Sequence, residues 1–403
     1  MAKLSTDSLS IQFLDQFVLA EDLLPFKNEE IITLDQELTA YEQIFINPNV
    51  ERSLISKNVL LASFAISKAE NSTLTLSEAK EVYDLIVHNQ DYDFIAKKIK
   101  LGKKLTQKDY ERLEFFNIAR VFKEINARQF KLAELTSDFI KNIHLELTKG
   151  LDIFGRYLPS FEVYKSGKWR DNDFIRVDNY VPSPRILIVE GVNELIEWLK
   201  KNFSITNVAV FHTALYALHP FCNGNKRVCR VLEHILLRAL GINHKNLYST
   251  SYYYHQEKER YYKYLLYSLE RKNFNHFTSF ILEAVVLSII AVLKTSLETK
   301  RDAYLVRAEI DDKIKFILRP LIKRHEIQFK TLLKMQNKKI ARQTFVTYLQ
   351  KAGQAGLVVR RALGKAVYYS LNLDAPEKEV LAKWINLAKS RLDYIPDEIK
   401  LSI

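Results

Sequence analysis

The sequence predicts a mainly α-helical protein with one short β-hairpin in its body and a separate basic module near its C-terminal end. Apolar residues recur at helical spacing along most of the 403 residues, and the 10 glycines lie mostly where such stretches end. The length predicts two or three domains with a sizeable core. The only 2 cysteines, Cys222 and Cys229, exclude a disulfide framework and favour a reducing compartment.

The sequence predicts a cytoplasmic protein that does not enter a membrane. The first residues, Met1 to Asp7, lack the apolar segment of a signal peptide. The most apolar run, Phe280 to Leu293, is short and contains Glu283, so we expect a buried helix there.

Positive charge is concentrated near the C-terminal end. The chain carries a net charge of +12, and residues 301–373 hold 16 Lys/Arg against 5 Asp/Glu, an excess of +11. Between Glu326 and Leu373 there is no further acidic residue. This asymmetry predicts an appended basic module.

The most informative stretch runs from His219 to Arg230 and reads His-Pro-Phe-Cys-Asn-Gly-Asn-Lys-Arg-Val-Cys-Arg. It is a polar loop between two apolar helical patterns, and its basic residues enter the first turns of the second helix. First turns favour acids, so cations there indicate a bound anion that is also held by backbone N–H groups. Gly224 allows the backbone to approach a phosphate closely, and His219 can take a proton near neutral pH. We interpret the stretch as a phosphate site beside a base.

This stretch resembles the signature of the Fic family, His-Pro-Phe-x-(Asp/Glu)-Gly-Asn-(Gly/Lys)-Arg-x-x-Arg, and departs from it only at Asn223. The resemblance implies a Fic-type helical bundle that usually transfers AMP from ATP to a hydroxyl side chain of a target protein. It implies that His219 is the base, that Asn223 occupies the Mg²⁺-ligand position, and that Arg230 meets the γ-phosphate. The phosphates would be held by Gly224, Asn225, Lys226 and Arg227.

Asn223 weakens the expected metal site. Mg²⁺ favours carboxylate and phosphate oxygens, whereas an amide oxygen brings no charge. Three outcomes stay open: a slow enzyme, an enzyme that uses Mn²⁺ better, or a protein that binds nucleotide without catalysis.

Fic proteins with an N-terminal inhibitory helix carry a Ser/Thr-x-x-x-Glu-(Gly/Asn) motif, and residues 66–71 resemble it in part. Ile66 stands where the hydroxyl should be, while Glu70 and Asn71 fit. The resemblance implies that Glu70 pairs with Arg230 and occupies the place of the γ-phosphate, since carboxylate and phosphate present similar geometry to a guanidinium. The alternative is an ordinary surface glutamate. In the helix that follows, Thr75 or Ser77 is the candidate cap.

Residues 167–184 resemble the Gly-x-x-Arg segment and β-hairpin flap of Fic proteins. Alternation over 174–178 predicts a short strand or hairpin edge, and a Pro-x-Pro cluster ends it. Such a flap would hold an extended target segment by backbone hydrogen bonds. The alternative is a plain loop. The docking candidates are Phe174, Ile175, Arg176 and Val177.

Tyrosines after the motif resemble the Ser-x-Tyr and Tyr-Tyr-x-x-Leu segments that lie near the nucleotide in the family. Aromatic residues at helical spacing are more often core residues, and only Tyr252 and Tyr261 are kept as candidates for an adenine pocket. We expect His212 to be a buried, hydrogen-bonded core residue.

The basic module resembles a winged helix-turn-helix: a short helix over 329–335, a turn, a helix from Ala341, and two strands over 357–361 and 366–371. In that fold the second helix enters the DNA major groove, and the basic excess supplies phosphate affinity. The alternative is a protein-docking or dimerisation unit. Arg342 and Gln343 are the candidates to read bases, and the candidate phosphate contacts are Lys338, Lys339, Arg360, Arg361 and Lys365.

The expected organisation is a helical region with the inhibitory helix at 1–110, the Fic core at 111–295, the winged-helix-like module at 301–373 and a helical tail at 374–403. The expected activity is adenylylation of Ser, Thr or Tyr in an unknown target protein or in the chain itself, using ATP and Mg²⁺ or Mn²⁺. Two alternatives are a Doc-like protein phosphotransferase and a nucleotide-sensing DNA-binding regulator. The sequence leaves open whether the protein forms a homodimer.

Overall fold

The computed structural model describes residues 7–42, 48–69, 71–159, 164–336 and 340–397, so Glu70, Lys338 and Lys339 lie outside the described residues. The chain divides into two compact units. The first comprises Met1–Ile32 and Asn49–Ser288, and the second comprises Thr33–Pro48 and Ile289–Ile403. Each unit has its own buried core.

The first unit is built from helices, with one small antiparallel pair of strands near its start, β1 at Asp7–Ser8 and β2 at Val18–Leu19. The helices are α1 at Asn28–Glu42, α2 at Pro48–Ala69, α3 at Leu76–Val87, α4 at Phe94–Lys100, α5 at Gln107–Asn126, α6 at Ser137–Thr148, α7 at Ile188–Lys201, α8 at Ile205–Leu218, α9 at Asn225–Ala239, α10 at Thr250–Gln256, α11 at Lys258–Glu270 and α12 at Asn275–Arg307. Both α1 and α12 continue into the second unit. This mainly helical architecture is the predicted fold class.

Two buried helices position the polar loop. α8 is apolar on all sides, and each of its residues except Asn207 is buried, as expected of a central core helix. α9 packs against α8 and is itself buried along most of its length. The loop 219–224 therefore connects two helices that cannot move without opening the core.

Local sequence fixes where several helices start. Of the two candidate caps for α3, the structure uses Thr75: its hydroxyl accepts the Glu78 N–H at 3.3 Å, and the Glu78 carboxylate accepts the Thr75 N–H at 2.8 Å. This reciprocal pair satisfies two N–H groups that a helix start leaves without partners. Thr106 and Asp109 form the same arrangement at α5.

α12 is, within the described residues, the one helix long and apolar enough by length and composition to cross a membrane. Its most apolar window has a mean hydropathy of 2.1 and is 78% buried. The burial agrees with the predicted core helix through Phe280 to Leu293, because a lipid-facing helix would present its apolar surface outward.

The second unit combines helices with a three-stranded antiparallel sheet of order β3-β5-β4. Its core includes Ile317, Leu332, Phe345 and Leu371. The helix, helix, hairpin order is the one predicted, while the winged-helix assignment itself stays a prediction. The elements are α13 at Asp312–Leu318, α14 at Pro320–Lys323, β3 at Ile327–Gln328, α15 at Phe329–Lys334, α16 at Arg342–Gln354, β4 at Val358–Leu363, β5 at Ala366–Leu371 and α17 at Glu377–Arg391.

Candidate active site

The candidate base lies directly at the end of α8. His219 adopts a left-handed backbone conformation with φ of 51°, and its N–H donates to the Leu215 carbonyl at 3.1 Å. Its ring packs edge-to-face with the Tyr216 ring, the two ring centroids lying 5.1 Å apart, and the residue is 8% exposed. The helix terminus thus holds this imidazole at the mouth of the loop, with a small accessible surface for a reactant.

The first turn of α9 presents backbone donors to the same loop. Gly224 caps the helix with φ of 80° and supplies no side-chain acceptor. The N–H groups of the first three helical residues precede the helical ladder, which begins with Val228 N–H donating to Gly224 O at 3.1 Å. Since no acidic residue lies in this turn, the positive helix end remains suited to an anion.

Asn225 closes the loop. Its side chain accepts the Phe221 N–H at 3.0 Å and donates to the Phe221 carbonyl at 2.8 Å. The residue is 3% exposed, so this amide stiffens the loop from within. The contribution of Asn225 to a phosphate site is therefore its backbone N–H and the loop shape.

Asn223 uses its side-chain oxygen inside the loop, where it accepts the Gly224 N–H at 2.7 Å. Among the described residues no group of three or more His, Cys, Asp or Glu side chains is placed to hold a metal. The residues present therefore fit Mg²⁺ only weakly, and most of its ligands would be phosphate oxygens and water, as is usual for this ion.

His144 of α6 packs against the loop and bonds to it, and sequence reasoning did not identify this residue. Its Nδ1 accepts the Gly167 N–H at 2.9 Å, so the proton lies on Nε2, which donates to the Asn223 carbonyl at 3.0 Å. The ring stacks on Phe221 with centroids 3.8 Å apart, and it lies against Gly224, where an added Cβ would be 3.4 Å away. The neutral His144 imidazole thus contacts Gly167, the Phe221 ring and the Asn223–Gly224 backbone.

This arrangement predicts that acid weakens the fold. Burial lowers the pKa of His144 from 6.5 to about 4, so below pH 6.5 the unfolded chain takes up a proton that the folded chain refuses. We expect this one residue to remove up to about 3 kcal/mol of unfolding free energy between pH 6.5 and 4. Burial lowers the pKa of His234 as well, to about 3, which adds in the same direction.

Urea unfolding of wild type and His144→Gln between pH 7 and 4 measures the effect. The variant is less stable at pH 7, and the difference should shrink as the pH falls. His88→Gln, at an exposed histidine, serves as the control that keeps the wild-type pH profile. If the unfolding free energies of wild type and His144→Gln fall in parallel as the pH is lowered, the lowered pKa of His144 is contradicted.

Arg170, the arginine of the Gly-x-x-Arg segment, anchors the flap to the end of α8. Its Nε donates to the His219 carbonyl at 2.8 Å and its backbone N–H to the Pro220 carbonyl at 2.8 Å. Its Nη2 donates to the Ser183 carbonyl, and the Ser183 hydroxyl donates to the Leu218 carbonyl at 3.0 Å. These bonds satisfy carbonyls that a helix end leaves without partners, and they fix both ends of the flap beside His219.

The predicted hairpin is present in its shortest form. Val177 and Tyr180 form one antiparallel bridge in which each N–H donates to the other carbonyl at 3.0 Å. The expected strand over 174–178 is absent from this described segment. The next hydrogen-bonded pair beyond the bridge would join Ile175 to Pro182, and proline has no N–H to donate. Phe174 is 89% exposed on the flap, Arg176 is also exposed, and Ile175 and Val177 are half-buried.

The structure places Arg227 inside the core. It forms an ion pair with Glu114 of α5 at 2.9 Å, and each side chain is 1% exposed. Its Nη2 donates to the Tyr164 hydroxyl at 2.9 Å, while the Tyr110 hydroxyl donates to the same Glu114 oxygen at 2.9 Å. A buried carboxylate that the sequence did not reveal therefore already pairs with this candidate phosphate ligand.

Arg230 is 2% exposed, and its guanidinium lies 4.3 Å from the ring centre of Tyr261 and 5.4 Å from that of Tyr254. Its Nη1 donates to the Ala65 carbonyl near the end of α2 at 3.5 Å. Tyr261 is fully buried, as expected of a core aromatic, whereas the other adenine candidate, Tyr252, is half-buried.

Lys226 is half-buried, with Nζ 5.1 Å from the ring centre of Tyr262. His212 is a buried core residue, as predicted, with Nδ1 2.6 Å from the Glu233 carboxylate.

The basic candidates of the second unit differ in their surroundings. Arg342 and Gln343 are exposed in the first turn of α16, and Lys365 is exposed in the turn between β4 and β5. Arg361 instead pairs bidentately with Glu326, with Nε 2.8 Å and Nη2 2.5 Å from its oxygens. Its charge is thus already compensated within the unit.

Residues 134–237, which contain the His219 to Arg230 stretch, match the sequence model of the Fic/DOC family. The comparison with curated proteins returns no match. Among solved structures, a Fic family protein from Desulfovibrio desulfuricans G20 is 18% identical, covers 87% of this chain and 99% of its own, and has a TM-score of 0.47. Fic-1 from C. elegans is 14% identical over 68% and 75% of the two chains, with a TM-score of 0.45. A Fic-domain-containing signaling protein from Bacteroides thetaiotaomicron VPI-5482 is 14% identical over 65% and 96%, with a TM-score of 0.44.

Proposed function

We propose that this chain, whose residues 134–237 are a Fic/DOC family domain, is a protein adenylyltransferase. It transfers AMP from ATP to a Ser, Thr or Tyr hydroxyl of a target protein or of itself. The observation that supports this most is the placement of an imidazole and the N–H-lined first turn of α9 on one short loop, His219 to Gly224. A base beside an anion site is what attack by a hydroxyl on a phosphate requires.

In the proposed reaction His219 takes the proton from the target hydroxyl as its oxygen attacks the α-phosphorus. A new phosphorus–oxygen bond forms, the bond to the β-phosphate oxygen breaks, and pyrophosphate leaves. The first N–H groups of α9 and the Lys226 ammonium offset the charge that develops on the phosphate oxygens. Mg²⁺, when bound with ATP, neutralises part of the triphosphate charge. Arg170 holds the flap beside His219, where the target segment would lie.

Inhibition by Glu70 is part of the proposal. The described end of α2 reaches Arg230 through the Ala65 carbonyl, at 3.5 Å from Nη1. Glu70 follows this helix directly in the sequence, and a glutamate carboxylate is a group that can compete with a γ-phosphate for a guanidinium.

Wild type and Glu70→Gly, each incubated with α-labelled or γ-labelled ATP and Mg²⁺, test the proposal. Transfer of α-label by Glu70→Gly above the wild-type level supports AMP transfer and its inhibition together. Label from γ-ATP without label from α-ATP would instead indicate phosphotransfer of the Doc-like kind.

Asn223→Asp is expected to raise the rate of label transfer by about an order of magnitude, since changes around a metal site typically alter its affinity 10–100-fold. An aspartate keeps one oxygen for the Gly224 N–H and adds a charged oxygen for the metal. Rates measured across Mg²⁺ and Mn²⁺ concentrations should show a lower half-saturating Mg²⁺ concentration. An unchanged metal dependence would show that this position does not hold the ion.

A second candidate is a nucleotide-sensing DNA-binding regulator. It is favoured by Arg342 and Gln343, exposed together in the first turn of α16, within the segment 301–373 that carries an excess of +11. ATP binding without transfer of label, together with DNA affinity that depends on ATP and falls steeply with salt, would select this candidate.

A further inference from the structure

The second unit contains a cavity of about 230 Å³ at the start of α17. Arg301, His325 and Lys378 contribute its basic lining, and Asp374 and Glu379 contribute carboxylates. Arg301 is buried and the two carboxylate residues are exposed, so the positive charge lies deeper than the negative charge. Water screens the charge of exposed groups far more than that of buried ones.

Arg301 supplies the most deeply buried positive charge of this cavity. The residue is 5% exposed, and among the described residues its one hydrogen bond runs from Nη1 to the Ile322 carbonyl at 3.2 Å. A guanidinium has five N–H donors, and burying its charge is costly unless an anion compensates it.

Glu298 and Glu377 act electrostatically on Arg301, but each forms its ion pair with a lysine and not with this guanidinium. Glu377 pairs with Lys300 at 3.1 Å, and Glu298 lies 3.7 Å from Lys294. No ion pair to Arg301 within 4.0 Å occurs in the described part of the chain. The guanidinium is thus left with free donor capacity toward the cavity.

His325 lies beside the two cations of the cavity. Burial, together with the charges of Lys378 and Arg301 and against a smaller opposing effect of Glu326, lowers its pKa to about 4. The imidazole is therefore neutral at physiological pH and keeps one N–H to donate. Three residues with donor groups line this one cavity: Arg301 on α12, His325 before β3 and Lys378 on α17.

We propose that this cavity binds the phosphate group of a small molecule. A tetrahedral phosphate offers acceptors in several directions and suits donors that converge from three elements, whereas a carboxylate suits a single bidentate partner. This site is separate from the motif loop, and it does not depend on the proposed transfer reaction.

NMR of the full chain, labelled at the histidine rings, tests the site. The His325 signal is assigned with His325→Gln, and inorganic phosphate, glycerol 3-phosphate and acetate are titrated separately. The phosphate compounds should move the His325 signal in a saturable manner, and acetate should not. Equal movement by acetate would overturn the choice of phosphate, and no movement with any compound would overturn the site.

Three variants localise the effect. Lys378→Gln should weaken the phosphate affinity obtained from the His325 titration about tenfold or more, since a hydrogen bond to a charged group contributes on that scale. Lys389→Gln, at an exposed position of the same helix, should leave it unchanged. Lys226→Gln, which weakens the motif site, should also leave the His325 titration unchanged. An unaltered titration in Lys378→Gln would contradict the proposal.

Discussion

His219→Ala is expected to lower the transfer of α-label by roughly 10²–10⁴-fold, the range that a positioned general base contributes. The imidazole stands at the end of α8 and next to the first turn of α9, so removing it deletes the proposed base and leaves the proposed phosphate-binding turn in place. Binding of ATP, measured by calorimetry, should therefore stay close to the wild-type value. The assay uses the Glu70→Gly background, in which transfer is expected to be fastest.

His88→Ala is the matched control, because this exposed histidine lies at the end of α3, and its Nδ1 is 2.7 Å from the Asp84 carbonyl of its own helix. Its labelling rate should equal that of the parent. Unchanged labelling by His219→Ala would exclude the proposed base, whereas loss of both labelling and ATP binding would indicate that the loop has collapsed.

Glu114→Gln is expected to lower the unfolding free energy by roughly 3–5 kcal/mol, since it removes the carboxylate that pairs with the buried Arg227 guanidinium. Arg227 and Glu114 are 2.9 Å apart, and each side chain is 1% exposed. Urea unfolding of the full chain, followed by circular dichroism, measures the loss. Lys97→Gln removes an exposed pair with Asp93 at 3.8 Å and should cost less than about 1 kcal/mol.

The double variant Glu114→Leu with Arg227→Met separates charge from packing. Replacing both partners by apolar residues of similar size removes the unpaired charge, so it should be more stable than Glu114→Gln. If all of these variants lose equal stability, the ion pair is not what holds α5 against α9.

Local patterns were sufficient for the helices and for the loop. The apolar spacing of α8 and α9, the glycine before α9 and the Thr75 cap each depend on neighbours within one or two helical turns. The strand β3, at Ile327–Gln328, was not predicted because two residues are too short to show alternation, and its pairing with β5 is a long-range contact.

The site was predicted only as far as the motif extends along the chain. Spacing placed His219 and the first turn of α9 on one loop, because both lie within a few residues of Gly224. It did not reveal that Arg227 points to Glu114, which lies more than a hundred residues away on another helix. The partner of a side chain across the core depends on how the helices pack. The periodic spacing of apolar residues within one helix does not reveal this packing.

The sequence by itself determined the mainly helical class, the polar loop that joins His219 to α9, and the separate basic segment, because these follow from periodicity, spacing and charge. Only the tertiary structure decided which basic side chains are engaged. Arg227 and Arg230 are held in the core, Lys226 remains half-buried, and Arg301 lines a cavity. The physical reason is that burial and ion pairing depend on residues brought together from distant parts of the chain, and those contacts exist only once the helices have packed.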